Sequence, residues 1–91
     1  MTLTHHALMR LNKRNIPYHL IQNCLYNGKV MQTKNAYKIT NELITIITDI
    51  KKQIIITIYP ISKINKKIKK IAKREQINFS QAAKIFFSQM A

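Results

Sequence analysis

The apolar and polar positions between residues 3 and 15 repeat with a helical period. Leu3, Ala7, Leu8 and Leu11 fall at i, i+4, i+5 and i+8, along one side of a helix of about 3.6 residues per turn. His6, Arg10, Lys13 and Arg14 fall at i, i+4, i+7 and i+8 and form a second, cationic stripe. The spacing predicts a helix from Thr4 to Asn15, with Thr4 as N-cap and Asn15 as a left-handed C-cap. Ile16-Pro17 breaks the pattern and restarts it, since proline suits a first helical turn. A second helix, Tyr18 to Tyr26, then buries Leu20, Ile21, Cys24 and Leu25 and ends at Asn27-Gly28. The two helices make a hairpin.

From Lys29 the period shortens. Lys29 to Thr33, Ala36 to Thr40, Leu43 to Thr48 and Ile54 to Tyr59 are rich in β-branched and aromatic residues, and polar gaps separate them. Gaps this short favour an antiparallel meander of four strands. Ile44, Ile46 (with Ile47), Ile54, Ile56 and Ile58 supply its core face, which leaves Thr45, Thr57 and Tyr59 on the alternate face. Pro60 ends the sheet. Ser62 caps a third helix, Lys63 to Gln76, with a narrow apolar seam of Ile61, Ile64, Ile68, Ile71 and Ala72. Ser80 or Asn78 caps a fourth, which carries Ala82, Ala83, Phe86, Phe87 and Met90. The expected order is ααββββαα, an α+β fold in a single domain: residues 1–60 form one unit and 61–91 a basic helical extension.

Composition narrows the partners. In 91 residues, sixteen Lys and Arg face three acids, Glu42, Asp49 and Glu75, for a formal charge of +13. Residues 1–60 carry a net +6 and residues 61–91 a net +7. Such a field attracts polyanions, nucleic acid first, then an acidic protein or an anionic membrane surface. Seventeen Ile and thirteen Lys also have the look of an AT-rich coding sequence, which enriches lysine whatever the function. Cys24 is the single cysteine, so an intrachain disulfide and a cysteine-based zinc cluster are excluded, and it is expected to pack as a small apolar residue. No apolar run approaches the roughly 18 residues of a membrane span, and no signal-peptide pattern is present. A soluble reducing compartment, the cytoplasm, is expected.

The segments His6-Ala7-Leu8-Met9-Arg10-x-x-x-Arg14-Asn15-Ile16, Tyr37-Lys38-Ile39 and Ile55-Ile56-Thr57-Ile58-Tyr59-Pro60 resemble a group of small bacterial proteins. That group opens on His-Ala-x-x-Arg-x-x-x-Arg-x-Ile and closes on Ile-Thr-Val-Tyr-Pro. It looks like part of the wider set of barnase, EndoU, colicin and RelE-type ribonucleases, which includes toxin domains of contact-dependent inhibition systems. The likeness covers about residues 5–60. It implies a helical hairpin packed on a four-stranded antiparallel sheet, and an RNase that needs no metal or other cofactor and has its site between the first helix and the sheet. Carried over residue by residue, the catalytic candidates are His6, Arg10, Thr57 and Tyr59, with Arg14 and Tyr37 behind them. His5 precedes His6, and the assignment to His6 rests on the Ala-x-x-Arg that follows it.

The chemistry asks for such side chains. RNA cleavage without a metal needs a base for the 2′-hydroxyl, an acid for the leaving 5′-oxygen and positive donors on the phosphorane. Imidazole titrates near neutrality and can carry the proton. Arg10 and Arg14 offer planar forks to phosphate oxygens, and Thr57, Tyr59 and Tyr37 can donate hydrogen bonds or stack a base. Lys38, Lys66, Lys67, Lys70, Lys73 and Arg74 are expected to track the RNA backbone. Two other readings remain open. The strand Ile54 to Tyr59 and the two helices after it look like a ribbon-helix-helix DNA-binding unit, which would make the protein a transcriptional regulator. Lysine-rich composition alone would suffice for an RNA-binding protein with no chemistry. The seam ending in Phe86, Phe87 and Met90 is also a candidate dock for an acidic antitoxin or immunity protein.

Overall fold

A computed structural model describes residues 2–51 and 54–89. The elements run β1 (Thr2–Leu3), α1 (His5–Arg14), α2 (Tyr18–Asn27), β2 (Lys29–Gln32), β3 (Ala36–Thr40), β4 (Ile44–Asp49), β5 (Ile54–Pro60), α3 (Ser62–Glu75) and α4 (Phe79–Ser88). The class is α+β, with one helical hairpin between β1 and β2 and a second after β5. The sheet itself differs from the expected four-stranded meander. It has five strands in the order β1-β5-β4-β3-β2, and β1 lies parallel to β5 through Thr2↔Ile54 and Leu3↔Ile55. The remaining pairs are antiparallel, as the short connections require.

The core face of β5 also departs from the expected register. Ile47 pairs with Thr57 but Thr48 pairs with Ile55, so Ile56 is an extra residue in a β-bulge. A bulge shifts the alternation by one position. Ile55 is therefore the buried residue, at 2% exposure, while Ile54 and Ile56 stand 40% and 38% exposed. Ile44, Ile46 and Ile58 are fully buried, as the alternation predicts.

Both hairpins pack into one core. Ala7, Ile16, Ile21 and Cys24 meet the sheet from the first hairpin, and Ile64, Ile68, Ala82, Ala83 and Phe87 join the same cluster from the second. Gly28 closes α2 against β3, its N–H donating to the Cys24 carbonyl at 2.7 Å. A Cβ there would run into that carbonyl and lie 2.7 Å from Ile39 Cγ2, so the close approach needs glycine. α3 starts one residue earlier than expected. Ile61 takes the N-cap position, where its apolar side chain has no acceptor for a cap bond; its own N–H is held by the Leu43 carbonyl at 3.0 Å, and Ser62 is already helical. α4 is capped by Asn78 in a reciprocal box with Gln81. Phe86 is half-buried and meets Phe87 edge-on at 5.3 Å. Met90 lies outside the described residues. Among the described residues, no helix is long and apolar enough to cross a membrane.

Candidate functional site

α1 is pinned to the outer edge of β5 at both ends. Thr4 caps it, with Oγ1 accepting from the Ala7 N–H at 3.0 Å and donating to the Ile56 carbonyl at 3.1 Å. The Thr4 N–H donates to the Ile55 carbonyl at 3.0 Å, which extends the β1 pairing by one bond. Ten residues on, the Arg14 guanidinium donates through Nη1 to the Ile58 carbonyl at 2.7 Å. Ala7 is fully buried against the core, and this fixes the rotation of the helix. The stripe of His6, Arg10, Lys13 and Arg14 is thereby held along its outer side.

His6 and Arg10 meet directly. Arg10 Nε donates to His6 Nε2 across 3.4 Å on the exposed side of the helix. In this pair Arg10 is the donor and His6 Nε2 the acceptor. Both side chains line an open hollow of about 400 Å³ with Met9, Asn12 and Lys13. Arg10 and Lys13 are also walls of a neighbouring groove, completed by Arg14, Asn65, Lys69 and Phe79. The Arg14 guanidinium is held below its ordinary pKa, first by burial and then by the charge of Arg10, while Tyr59 pulls in the opposite direction. Arg10 thus contacts His6 on one side and repels Arg14 on the other.

The other sequence-derived candidates sort by face of the sheet. Cross-strand pairing aligns Thr40, Thr45 and Tyr59 in one row and Lys38, Ile47 and Thr57 in the next, all on the side away from Ile46 and Ile58. Thr57, Tyr59 and Lys38 thus share a face. Tyr37 does not: it pairs with the buried Thr48 and stands in line with Ile39, on the core side. The expected site between α1 and the sheet does not form around His6: the hollow beside the imidazole is lined by α1 alone, without Thr57 or Tyr59. Lys66, Lys67, Lys70, Lys73 and Arg74 are exposed on α3, and Arg74 pairs with Glu75 at 3.2 Å. Periodicity places Lys13 in the stripe. It does not mark Asn65, Lys69 and Phe79, which flank the apolar seams of α3 and α4 and become walls only once those helices pack beside α1. Among the described residues, no three His, Cys, Asp or Glu side chains gather in one place.

Residues 3–60 match the sequence profile of a family described as "Domain of unknown function (DUF4258)". The chain belongs to that family. No curated protein and no solved structure matches it. The DUF4258 unit runs from β1 to the end of β5, close to the span of the motifs that open on His6 and close on Pro60. It contains His6, Arg10, Arg14, Thr57 and Tyr59 and stops before α3, so Asn65, Lys69 and Phe79 lie outside it. A DUF4258 match delimits a structural unit and assigns no chemistry to it.

Proposed function

We propose that this protein is a ribonuclease that cleaves RNA by acid–base transesterification without a metal. The observation that carries the reading is the contact between His6 and Arg10 on the cationic stripe, with Arg14 one turn further on. In the proposed step His6 Nε2 takes the proton of a ribose 2′-hydroxyl, and the 2′-oxygen attacks the adjacent phosphorus. The bond from phosphorus to the 5′-oxygen breaks, and at this open site water protonates the leaving oxygen. The products are a 2′,3′-cyclic phosphate and a 5′-hydroxyl. Arg10 donates to the phosphorane oxygens. Thr57, Tyr59 and Lys38, on the outer face of the sheet, bind the strand on either side. A toxin role, with an acidic antitoxin or immunity protein as inhibitor, follows from the likeness to ribonuclease toxins and from the +13 charge that such a partner would neutralise.

A second reading has its own support. The hollow that holds His6 is walled by α1 alone, and this suits an RNA-binding protein with no chemistry. The DNA-regulator reading has less room. A ribbon-helix-helix dimer needs the outer edge of β5 for its twin strand, and here that edge is engaged by β1, Thr4 and Arg14. The test is incubation with single-stranded RNA and with tRNA in excess EDTA. Cleavage to 2′,3′-cyclic ends is expected, with 2′-deoxy substrates left intact. His6→Ala should lower the rate by about 10²–10⁴-fold without moving the thermal midpoint, because the ring is exposed. RNA that is bound but never cut would leave the non-catalytic reading standing.

A further inference from the structure

We propose that the α3–α4 hairpin, outside the DUF4258 unit, completes the site with a nucleotide subsite. In it Lys69 and Asn65 of α3 hold an RNA phosphate together with Arg14 of α1, and Phe79 of α4 stacks the attached base. The proposal rests on the reading of RNA as substrate. The groove between α1 and the hairpin has a volume of about 270 Å³ and is lined by Arg10, Lys13, Arg14, Asn65, Lys69 and Phe79. Four of those six walls are cationic and none is acidic.

None of the three acids of the chain lines this groove. Glu42 lines a different hollow, beside Asn41 and Leu43; Asp49 accepts from the Ile54 N–H at 2.8 Å; Glu75 pairs with Arg74. Like charges crowded around one groove repel unless an anion sits among them. Arg14 cannot swing away freely, because its Nη1 is bound to the Ile58 carbonyl. Its remaining donors belong to a fixed fork of the kind that suits phosphate oxygens. Asn65 and Lys69 lie one turn apart on the same side of α3. Phe79 is the first residue of α4, and the Asn78–Gln81 capping box sets the turn that presents its ring.

Stacking of a base on the face of an aromatic ring beside a cationic wall is the usual way in which single strands are held, and Phe79, packed in part against the core, keeps part of its ring in this groove. The two hollows share Arg10 and Lys13, and His6 and Arg14 are two helical turns apart, about 12 Å along the axis. The phosphate at Arg14 and Lys69 is therefore placed further along the same strand than the scissile phosphate at His6 and Arg10. That would make the extension a determinant of where along the strand the enzyme cuts.

The experiment measures binding and cleavage separately. Binding of a short single-stranded RNA is followed by anisotropy on the His6→Ala background, where the oligonucleotide stays whole. Lys69→Ala and Phe79→Leu are each expected to weaken it by about tenfold. Lys63→Ala, which removes an equal charge from an exposed position of the same helix, should change it by less than about twofold. An oligonucleotide with abasic steps should erase the difference made by Phe79→Leu but not that made by Lys69→Ala. In the active protein the two substitutions should raise KM more than they lower kcat. Equal losses from Lys63→Ala and Lys69→Ala would mean a diffuse field and overturn the subsite, as would cleavage with KM unchanged. Preference for polyglutamate over RNA, lost with the same substitutions, would overturn RNA as the occupant. Binding that depends on Lys69 and Phe79 in a protein that never cleaves RNA would keep the subsite and remove the nuclease. Thermal unfolding of Phe79→Leu checks that the half-buried ring has not been traded for a collapsed groove, and Lys69→Ala tests the site without that concern.

Discussion

The Cys24 thiol is sealed beneath β3 and β4, with Sγ 3.6 Å from the Ile39 carbonyl and 3.9 Å from that of Ile44. It behaves as the small apolar residue its place in the α2 stripe predicts. Burial pushes its pKa from an ordinary 9.0 up to about 11, against the opposing pull of a backbone hydrogen bond from Asn41. The folded chain holds this proton more tightly than the unfolded chain does. The associated stability is thus intact below about pH 9 and is lost as pH climbs toward about 11. Subtracting the pH dependence of a Cys24→Ala variant isolates that loss from the titration of tyrosines and lysines. The companion expectation concerns reactivity, because the thiolate is the nucleophile. At pH 8 a thiol reagent should label native protein only at the rate of unfolding. Rapid labelling of native protein would mean that the sulfur is reached from solvent.

Asn15 shows how one cap can serve two elements. Its backbone, at φ 49°, closes α1 in the left-handed conformation that asparagine tolerates. Its Nδ2 donates to the Ser80 carbonyl at 2.6 Å and to Ser80 Oγ at 2.9 Å, which ties the end of α1 to the first turn of α4. Asn15→Gly keeps the turn and loses the tie, an expected cost of about 1–2 kcal/mol. Asn15→Ala should cost roughly a further 1 kcal/mol for the strained backbone. Urea unfolding resolves both, and a neutral Asn15→Gly would show that the tie carries no weight. The cap itself was legible in the sequence, as were the cap at Thr4 and the cationic stripe, because each depends on residues within a turn or two; for α4 the sequence left Ser80 and Asn78 both open, and the structure uses Asn78. The tie was not legible, since Ser80 lies 65 residues away. Neither was β1, whose two residues show no period. The bulge at Ile56 was hidden for another reason: Ile54-Ile55-Ile56-Thr57-Ile58 is so uniformly β-branched that no alternation marks which face is inward. The missing walls of the site follow the same rule, because Asn65, Lys69 and Phe79 gain meaning only from how α3 and α4 pack.

The family unit ends at residue 60, yet the core does not. Ile64, Ile68 and Phe87, exposed 5%, 0% and 3%, sit in the same cluster as Ala7, Ile16 and Ile58. Burying each such side chain contributes about 1.5–3 kcal/mol, and three together approach the total stability of about 5–15 kcal/mol typical of a domain. Removing α3 and α4 would also strip the Ser80 partner from Asn15 and lay open the inner sides of α1 and β5. Residues 1–60 alone should therefore lack a cooperative urea transition, although every residue of the family match and every catalytic candidate is retained. The full chain should unfold in one step, because both hairpins share one set of contacts. A sigmoidal transition in the fragment would make the hairpin an appendage and its +7 charge a tethered polycation. Its absence would mean that the second half of the positive field is held rigidly against the first, with the groove between α1 and α3 as their common wall.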